Sequence, residues 1–320
     1  MDQNAASNSI SEVIDAVQQT AIVDEEFLET VLTGILGRGH VLIEDVPGTG
    51  KTLTARSLAK VLGLKFKRIQ FTPDLLPSDI TGSHLYNEST GDFEFSPGPI
   101  FSNIVLADEI NRAPPKTQAA LLEAMGEKQV TVDNETRKLP EPFFVIATQN
   151  PIEHEGTFSL PEAQRDRFMT KTSMGYPSRG GERELLDRRA DRTTQTPAAR
   201  TVIDRSQVHD IQDIVETVHV DSRLRDYLVD ICRQTREDHQ VETGVSPRGI
   251  QRAFEAARAR ALIQQRDYVV PDDVKAIAVP VLAHRLVLTN EAQIRDADPK
   301  AVINRSLDAV EVPSIETPRA

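Results

Sequence analysis

The chain has 320 residues, of which 39% are hydrophobic and 27% charged, a composition that suits two domains with buried cores and excludes disordered and fibrous classes. Its net charge of −12 divides into 25 acids against 15 bases over residues 1–175 and 24 against 22 over 176–320. Neither half is a basic platform, so we expect no nucleic acid as a partner. Apolar runs are too short for a membrane span and residues 1–10 lack the pattern of a signal peptide, so we expect a cytoplasmic protein without membrane insertion.

Strand and helix patterns alternate along the first half of the chain. Two amphipathic helices are predicted at 11–20 and 24–36. Five strands follow, at 40–46, 67–72, 103–107, 143–148 and 169–176, with helices at 52–62 and 117–125 and a less regular stretch at 73–101. This alternation predicts an α/β fold, a parallel sheet with helices on both faces.

After residue 177 the strand signal ends and the pattern becomes helical. Helices are predicted at 181–192, 206–218, 222–237, 247–265 and 272–285. These helices form a second, all-α domain. The last twenty residues carry two prolines and scattered charge, so we expect them to fray or pack loosely.

The strongest local motif lies between the first strand and the helix at 52–62. Its residues are Asp45, Val46, Pro47, Gly48, Thr49, Gly50, Lys51, Thr52 and Leu53. Two glycines let backbone N–H groups surround a phosphate, Lys51 reaches the β- and γ-phosphates, and the Thr52 hydroxyl can ligate Mg²⁺. The full P-loop pattern has a further glycine where Asp45 stands. A glycine-rich turn with a surface lysine is the alternative.

Two later strands end in polar residues that suit the same site. Asp108 and Glu109 follow an apolar strand, where Asp108 can orient Mg²⁺ and Glu109 can polarise a water. The strand at 143–148 leads to Asn150, whose neutral amide can hydrogen-bond the attacking water or the γ-phosphate. Taken singly, an acidic strand end and an Asn before Pro are ordinary turn features.

Arginines are candidates for stabilising phosphate charge in the transition state. Arg165 and Arg167 lie in a short helical segment before the fifth strand, where one of them could reach the phosphate of a neighbouring subunit. Arg248 follows Ser246 as N-cap and Pro247 as the first helical residue, which fixes its position on a lid helix. Most arginines in any chain are surface cations.

Together these motifs resemble the MoxR family of AAA+ ATPases, P-loop NTPases with a helical lid. The resemblance rests on residues 71–82, 97–101, 108–116, 147–151, 160–164, 266–274 and 281–285. It implies an AAA+ nucleotide-binding domain with N-terminal helices at 1–177, a lid at 178–295 and a tail at 296–320. It also implies ATP and Mg²⁺ bound between the two domains, and a homo-oligomeric ring, typically a hexamer.

The resemblance assigns roles by motif position. Lys51 and Thr52 belong to the nucleotide loop, Asp108 and Glu109 to the Mg²⁺ and water-activating pair, and Asn150 to the first sensor. Arg248 becomes the second sensor and Arg167 the arginine finger; Arg165 stands where relatives carry an apolar residue, which leaves two finger candidates.

The implied function is ATP hydrolysis that drives chaperone-like remodelling or assembly of partner proteins, often partners with a von Willebrand factor A domain. Three other functions share this nucleotide site. They are an AAA+ nucleic-acid motor or loader, a nucleotide-gated binding protein with little turnover, and a subunit of a metal chelatase.

Overall fold

The computed structural model describes residues 1–89, 91–151, 157–191 and 199–314. The first half contains α1 (Gln3–Gln18), α2 (Glu25–Leu36), β1 (Val41–Glu44), α3 (Lys51–Val61), β2 (Phe66–Gln70), α4 (Pro77–Thr81), β3 (Gly82–Asn87), β4 (Asp92–Pro97), β5 (Ile104–Asp108), α5 (Pro115–Glu127), β6 (Gln129–Val132), β7 (Glu135–Lys138), β8 (Phe144–Gln149), α6 (Glu162–Arg165) and β9 (Thr170–Thr172). The second half contains α7 (Arg179–Asp191), α8 (Arg205–Thr217), α9 (Ser222–Gln234), β10 (Val241–Thr243), α10 (Pro247–Ile263), α11 (Pro271–Leu282), β11 (Val287–Leu288), α12 (Asn290–Ile294) and α13 (Pro299–Ala309).

Five of these strands form one parallel sheet in the order β2-β5-β8-β1-β9. They coincide with the five strands expected from the sequence, so the predicted parallel α/β sheet is confirmed. Because all five run in the same direction, β1, β5 and β8 end at one edge of the sheet. That edge is where ligands bind in open α/β folds.

The two faces of the sheet belong to two different cores, as the alternation of side chains along a strand requires. Val41 and Ile43 pack with α1, α2, α3 and the helices of the second half. Leu42, between them, packs on the opposite face with α4 and α5. Helices therefore cover both faces, as predicted.

The second half is helical, as predicted, with one addition. β10 and β11 form a two-stranded antiparallel pair that no sequence pattern indicated. These strands are three and two residues long, too short to show an alternating pattern. The long helix α10 packs on α2, α11, α8 and α9, so the lid shares a core with the N-terminal helices.

The irregular stretch at 73–101 contains helix α4 followed by an antiparallel hairpin of β3 and β4. A second hairpin of β6 and β7 follows α5, again without a sequence prediction. The side chains of His84 and Asp133 join the two hairpins through a contact of 2.7 Å. Most residues of these four strands are exposed or half-buried, and the apolar alternation that is present, Phe93 and Phe95 in β4 and Val130 and Val132 in β6, extends over only two apolar residues in each strand.

The expectation that the last twenty residues fray or pack loosely is wrong for residues 301–309. They belong to α13, which contacts α9 and α11 and buries Val302 and Ile303 completely. The two prolines that suggested a frayed end, Pro313 and Pro318, both come after this helix. Pro299 is the first residue of α13, a favourable place because that position needs no N–H donor.

Candidate active site

The loop between β1 and α3 exposes its backbone to open space. Gly48 and Gly50 have φ angles of +88° and +95°, the left-handed region that favours glycine. A Cβ atom at either position would find no heavy atom within 4 Å. Backbone N–H groups of such a loop, together with the amino end of α3, attract a phosphate group. The loop therefore has the conformation that the motif predicted.

Lys51 is the first residue of α3 and its ammonium group turns back over the loop. Its Nζ donates to the carbonyl oxygens of Asp45 at 3.2 Å and Val46 at 2.6 Å. Burial lowers the pKa of Lys51, while the nearby carboxylates of Asp45, Asp108 and Glu109 act in the opposite direction. The cation is thus placed at the loop and faces a set of acids.

Asp108 is the last residue of β5 and Glu109 follows it, and both share one partner, Thr148 near the end of β8. The Thr148 hydroxyl donates to Asp108 Oδ1 at 2.6 Å and accepts from the Glu109 backbone N–H at 2.9 Å. Glu109 has a left-handed φ of +57°, which turns the chain as it leaves the strand. One hydroxyl therefore fixes both acidic residues, and nothing in the sequence pointed to it.

Two residues of β2 that sequence reasoning missed also contact the acids. Arg68 binds Asp108 Oδ2 through Nε at 2.9 Å and Nη2 at 2.7 Å. Gln70 donates to Glu109 Oε2 at 2.7 Å, and Arg112 lies 3.3 Å from the same oxygen. Arg68 and Gln70 are two positions apart on β2, which places their side chains on the same face of the sheet. This spacing was the one signal in the sequence that could have indicated them.

A cleft of about 470 Å³ brings most of the predicted residues together. It is lined by Asp45, Pro47, Gly48, Gly50, Lys51, Thr52, Leu53, Arg68, Gln70, Asp108, Glu109, Thr148, Gln149 and Asn150. Val46 and Thr49 belong to the loop but do not line this cleft. Asn150 is buried and follows the last residue of β8, as its predicted position required. The cleft therefore brings the phosphate loop together with the Lys51 ammonium, the carboxylates of Asp108 and Glu109 and the Asn150 amide.

Oxygen ligands suited to Mg²⁺ are present in the cleft. Thr52 and Asp108 line it together, and no cluster of three or more acidic, histidine or cysteine side chains that could hold a metal exists among the described residues. Mg²⁺ in nucleotide sites is held by one or two carboxylates and by phosphates, so a single carboxylate beside a hydroxyl fits this ion. Hydrogen bonds from Thr148 and Arg68 occupy part of the acceptor capacity of Asp108 and leave the rest to a metal or its waters.

A second recess of about 490 Å³ adjoins the cleft and shares Gly48, Gly50 and Leu53 with it. Its other walls are mainly apolar and come from the residues after α1, from the linker after β9 and from α7. They include Ile22, Tyr176, Pro177, Leu185 and Leu186. Three of these side chains are otherwise exposed: Tyr176 at 72%, Leu185 at 51% and Leu186 at 67%. An aromatic base would bury this apolar surface.

Arg165 and Arg167 both lie outside the cleft. Arg167 donates to the carbonyl of Leu122 in α5 and packs against Gly126. Arg165 instead lines a cavity between β9 and the lid, beside Lys171 and His284. Neither is directed at this chain's own phosphate loop, which leaves both as finger candidates for a neighbouring subunit.

Arg248 lies at the opposite end of the sheet from the phosphate loop. Ser246 caps its helix and Pro247 begins it, as predicted. The Arg248 guanidinium contacts Asp166 at 3.4 Å, and the segment after Asp166 meets the start of β1, where Met169 N donates to His40 O at 2.7 Å. The phosphate loop follows the other end of β1. The residues that line the cleft, as far as the structure describes the chain, include none from α8 to α13.

Arg285 of the lid contacts Asp166 more closely than Arg248 does. Its Nε donates to Asp166 Oδ1 at 2.8 Å, and Nη2 donates to the Phe168 carbonyl at 2.7 Å. Only 2% of the Arg285 side chain is exposed. Burial lowers the pKa of Arg285 to about 10, with Asp166 acting in the opposite direction. The segment that carries the finger candidates is therefore attached to the lid of its own chain.

Comparison with known proteins agrees with this architecture. Residues 40–170 match the family model "ATPase family associated with various cellular activities (AAA)", and residues 233–306 match the AAA lid domain. A crystal structure from Cytophaga hutchinsonii, described as that of a candidate ATPase, superposes with a TM-score of 0.90 at 39% identity and covers 98% of this chain and 97% of that one.

Several curated relatives extend over nearly the whole chain. The uncharacterised protein YeaC of Bacillus subtilis is 47% identical and covers 95% of each chain. Chaperone MoxR1 of Mycobacterium tuberculosis is 42% identical, with 97% of this chain and 84% of the relative aligned, and the MoxR protein of Paracoccus denitrificans is 32% identical over 90% and 91%. With an AAA core, an AAA lid and MoxR relatives along its length, the chain belongs to the MoxR family of AAA+ ATPases.

Proposed function

We propose that this chain binds ATP with Mg²⁺ in the cleft at the phosphate loop and hydrolyses it to ADP and phosphate. One observation carries the proposal: Lys51, Asp108, Glu109 and Asn150, which are distant in sequence, line a single cleft at the carboxyl edge of the sheet. A loose phosphoryl transition state needs charge stabilisation and an aligned water, and this set of residues provides both.

Each residue has a distinct task in this reaction. The loop amides and Lys51 bind the phosphates, and the adjoining apolar recess receives the base. Glu109, held by Gln70 and Arg112, accepts the proton of the attacking water, and Asn150 orients that water by a hydrogen bond. Thr52 and Asp108 would hold Mg²⁺, which neutralises charge on the phosphate oxygens.

We further propose that the active form is a ring, typically a hexamer. Arg167 or Arg165 reaches the nucleotide of the next subunit as the finger. Arg248 contacts Asp166 beside the same segment, so its position supports a role at that neighbouring nucleotide too. Hydrolysis then changes the contacts between subunits, which converts phosphate chemistry into motion.

The work done with that motion is proposed to be remodelling or assembly of protein partners, including partners with a von Willebrand factor A domain. A relative of this chain carries the name chaperone. The β3–β4 hairpin supports a protein client, because Leu85, Tyr86 and Phe93 are 57%, 57% and 71% exposed on it.

The test is Glu109→Gln, which keeps the size of the side chain and removes the proton acceptor. We expect ATP binding to persist while turnover falls by about 10²- to 10⁴-fold. Glu123→Gln on the exposed side of α5 is the matched control and should hydrolyse ATP normally. Near-normal hydrolysis by the Glu109→Gln protein would contradict the assignment of the base. Partners captured by that protein in its ATP state, identified by mass spectrometry, would test the client proposal.

A further inference from the structure

Asp45 is a buried acid at a position where the P-loop pattern has glycine. Its relative exposure is 6%, and its two carboxylate oxygens accept three backbone hydrogen bonds. Oδ1 accepts from the N–H of Val46 at 2.8 Å, within the phosphate loop. Oδ2 accepts from the N–H groups of Met174 at 2.9 Å and Gly175 at 2.8 Å. The side chain therefore joins the loop to a segment far away in the sequence.

That segment is the linker between the last strand of the sheet and the lid. Met174 and Gly175 follow β9, and Gly175 has a left-handed φ of +67°, at which the chain turns. The next two residues, Tyr176 and Pro177, line the apolar recess beside the phosphate loop. Helix α7 begins two residues later. Asp45 thus holds the linker where it turns toward the recess and the lid.

The main chain of Asp45 is in contact with the group that would bind phosphate. The Lys51 ammonium donates to the carbonyls of Asp45 and Val46. An ammonium has three donors and these two carbonyls use two of them, so a phosphate that accepts more than one hydrogen bond from Lys51 must displace a carbonyl of the loop. The Asp45 N–H donates to the Gln149 carbonyl at 3.0 Å, which ties the residue to β8 as well. Phosphate binding therefore acts directly on the peptide that carries the Asp45 carboxylate.

We propose that Asp45 is a positioning residue that couples occupancy of the phosphate loop to the linker and, through it, to helix α7. The inference rests on the proposed function, since it assumes that the loop binds the phosphates of a nucleotide. A charge-assisted contact to two successive amides holds the linker to the loop with little freedom. A change in the loop on phosphate binding is passed to Met174 and Gly175 through the Asp45 carboxylate. A glycine at position 45 has no side chain that could pass this change to the linker.

The chain contains no tryptophan, so Tyr176→Trp places a single fluorescent reporter on the linker. The ligand is tripolyphosphate with Mg²⁺, which can fill the phosphate loop but has no base to enter the recess. We expect it to change the reporter's emission when Asp45 is present. In the Asp45→Gly background, compared at a ligand concentration that saturates this variant, we expect the emission change to fall by at least about fivefold.

Hydrogen exchange provides a second measurement on the intact chain without the reporter. Asp45→Gly should speed exchange of the Met174 and Gly175 amides, which lose their acceptor. Asp45→Asn should have a smaller effect, because its amide oxygen can still accept from both while its NH₂ group cannot accept from Val46. A melting transition of each variant checks that it folds.

Equal emission changes with and without the Asp45→Gly substitution, or unchanged amide exchange, would overturn the coupling and leave the proposed ATPase intact. Failure of the unsubstituted protein to bind either ATP or tripolyphosphate would overturn the proposed function and the coupling together.

Discussion

The two edges of the central sheet contain similar charged residues in opposite environments. At the carboxyl edge, Lys51, Asp108 and Glu109 line a cleft of about 470 Å³. At the amino edge, Arg285 and Asp166 form an ion pair with almost no exposure of the arginine. Charges that line an open cleft can bind a ligand, whereas charges that pair within the interior join two parts of a fold. The same residue types therefore line an open cleft at one edge and attach the lid at the other.

The largest expected effect concerns Arg167, which lies near the amino edge of its own sheet and is proposed to reach the cleft at the carboxyl edge of the neighbouring subunit's sheet. Arg167→Ala should lower turnover by about 10³- to 10⁵-fold if this arginine stabilises transition-state charge on the neighbour's phosphate. Mixing these subunits with Lys51→Ala subunits should restore part of the activity, because each variant supplies the group that the other lacks. Arg165→Ala is the matched comparison for the second candidate. Steady-state hydrolysis by mixed rings is the measurement.

Light scattering must first show that the single variants and the mixtures assemble equally well. If intact mixed rings gave no more activity than the separate variants, action between subunits would be ruled out for Arg167. A large loss in Arg165→Ala with none in Arg167→Ala would move the finger to Arg165.

The second prediction tests whether the amino edge is structural. Arg285→Met removes the nearer arginine partner of Asp166 and the donor to the Phe168 carbonyl; the lost guanidinium is 2% exposed and the Asp166 side chain 21%. We expect the free energy of unfolding to fall by about 3–5 kcal/mol, measured by urea denaturation. The matched control is Arg295→Met, which breaks an exposed ion pair with Glu291 and should cost about 0.5 kcal/mol. Losses of equal size would contradict the assigned difference between buried and exposed pairs.

The sequence predicted the carboxyl edge far better than the amino edge. The phosphate loop and the acids at the end of β5 are short contiguous motifs at strand ends, and a parallel sheet necessarily brings such ends together. The contacts of Asp108 with Arg68 and of Glu109 with Gln70 depend on the register between β2 and β5, which pairs Gln70 with Asp108. Register is not visible in a single strand, so these partners were missed.

The position of Arg248 shows a different limit. Its local setting was readable from the sequence: an N-cap serine, a proline at the first helical position and the arginine in the first turn. Its contact with Asp166 follows from how α10 packs on α2 and the rest of the lid, which involves residues more than two hundred positions apart. Helix patterns indicate that a face is apolar but not which other face will cover it. The lid orientation therefore came only from the structure.

The smallest predicted effect uses pH to weaken the amino edge selectively. His40 precedes β1, donates from Nε2 to the Met125 carbonyl at 3.2 Å and accepts at Nδ1 from the Val145 N–H at 3.1 Å, so it is held neutral. Burial lowers the pKa of His40 from 6.5 to about 4, with the Met125 hydrogen bond acting against this. Between pH 4 and 6.5 this histidine binds a proton in the unfolded chain and stays neutral in the folded chain. Stability from this group is therefore complete above pH 6.5 and is lost as the pH falls toward 4, by about 3 kcal/mol in total.

Other groups also titrate in acid, so the measurement is a difference between proteins. The free energy of unfolding of the parent minus that of His40→Gln should rise between pH 4 and 6.5, since only the parent has a histidine at this buried position. His239→Gln, at a ring that is 85% exposed, is the control for removing a histidine at the surface. A flat difference for His40→Gln would mean that the histidine is protonated in the folded chain. The neutral form assigned to His40, which precedes β1, would then be wrong.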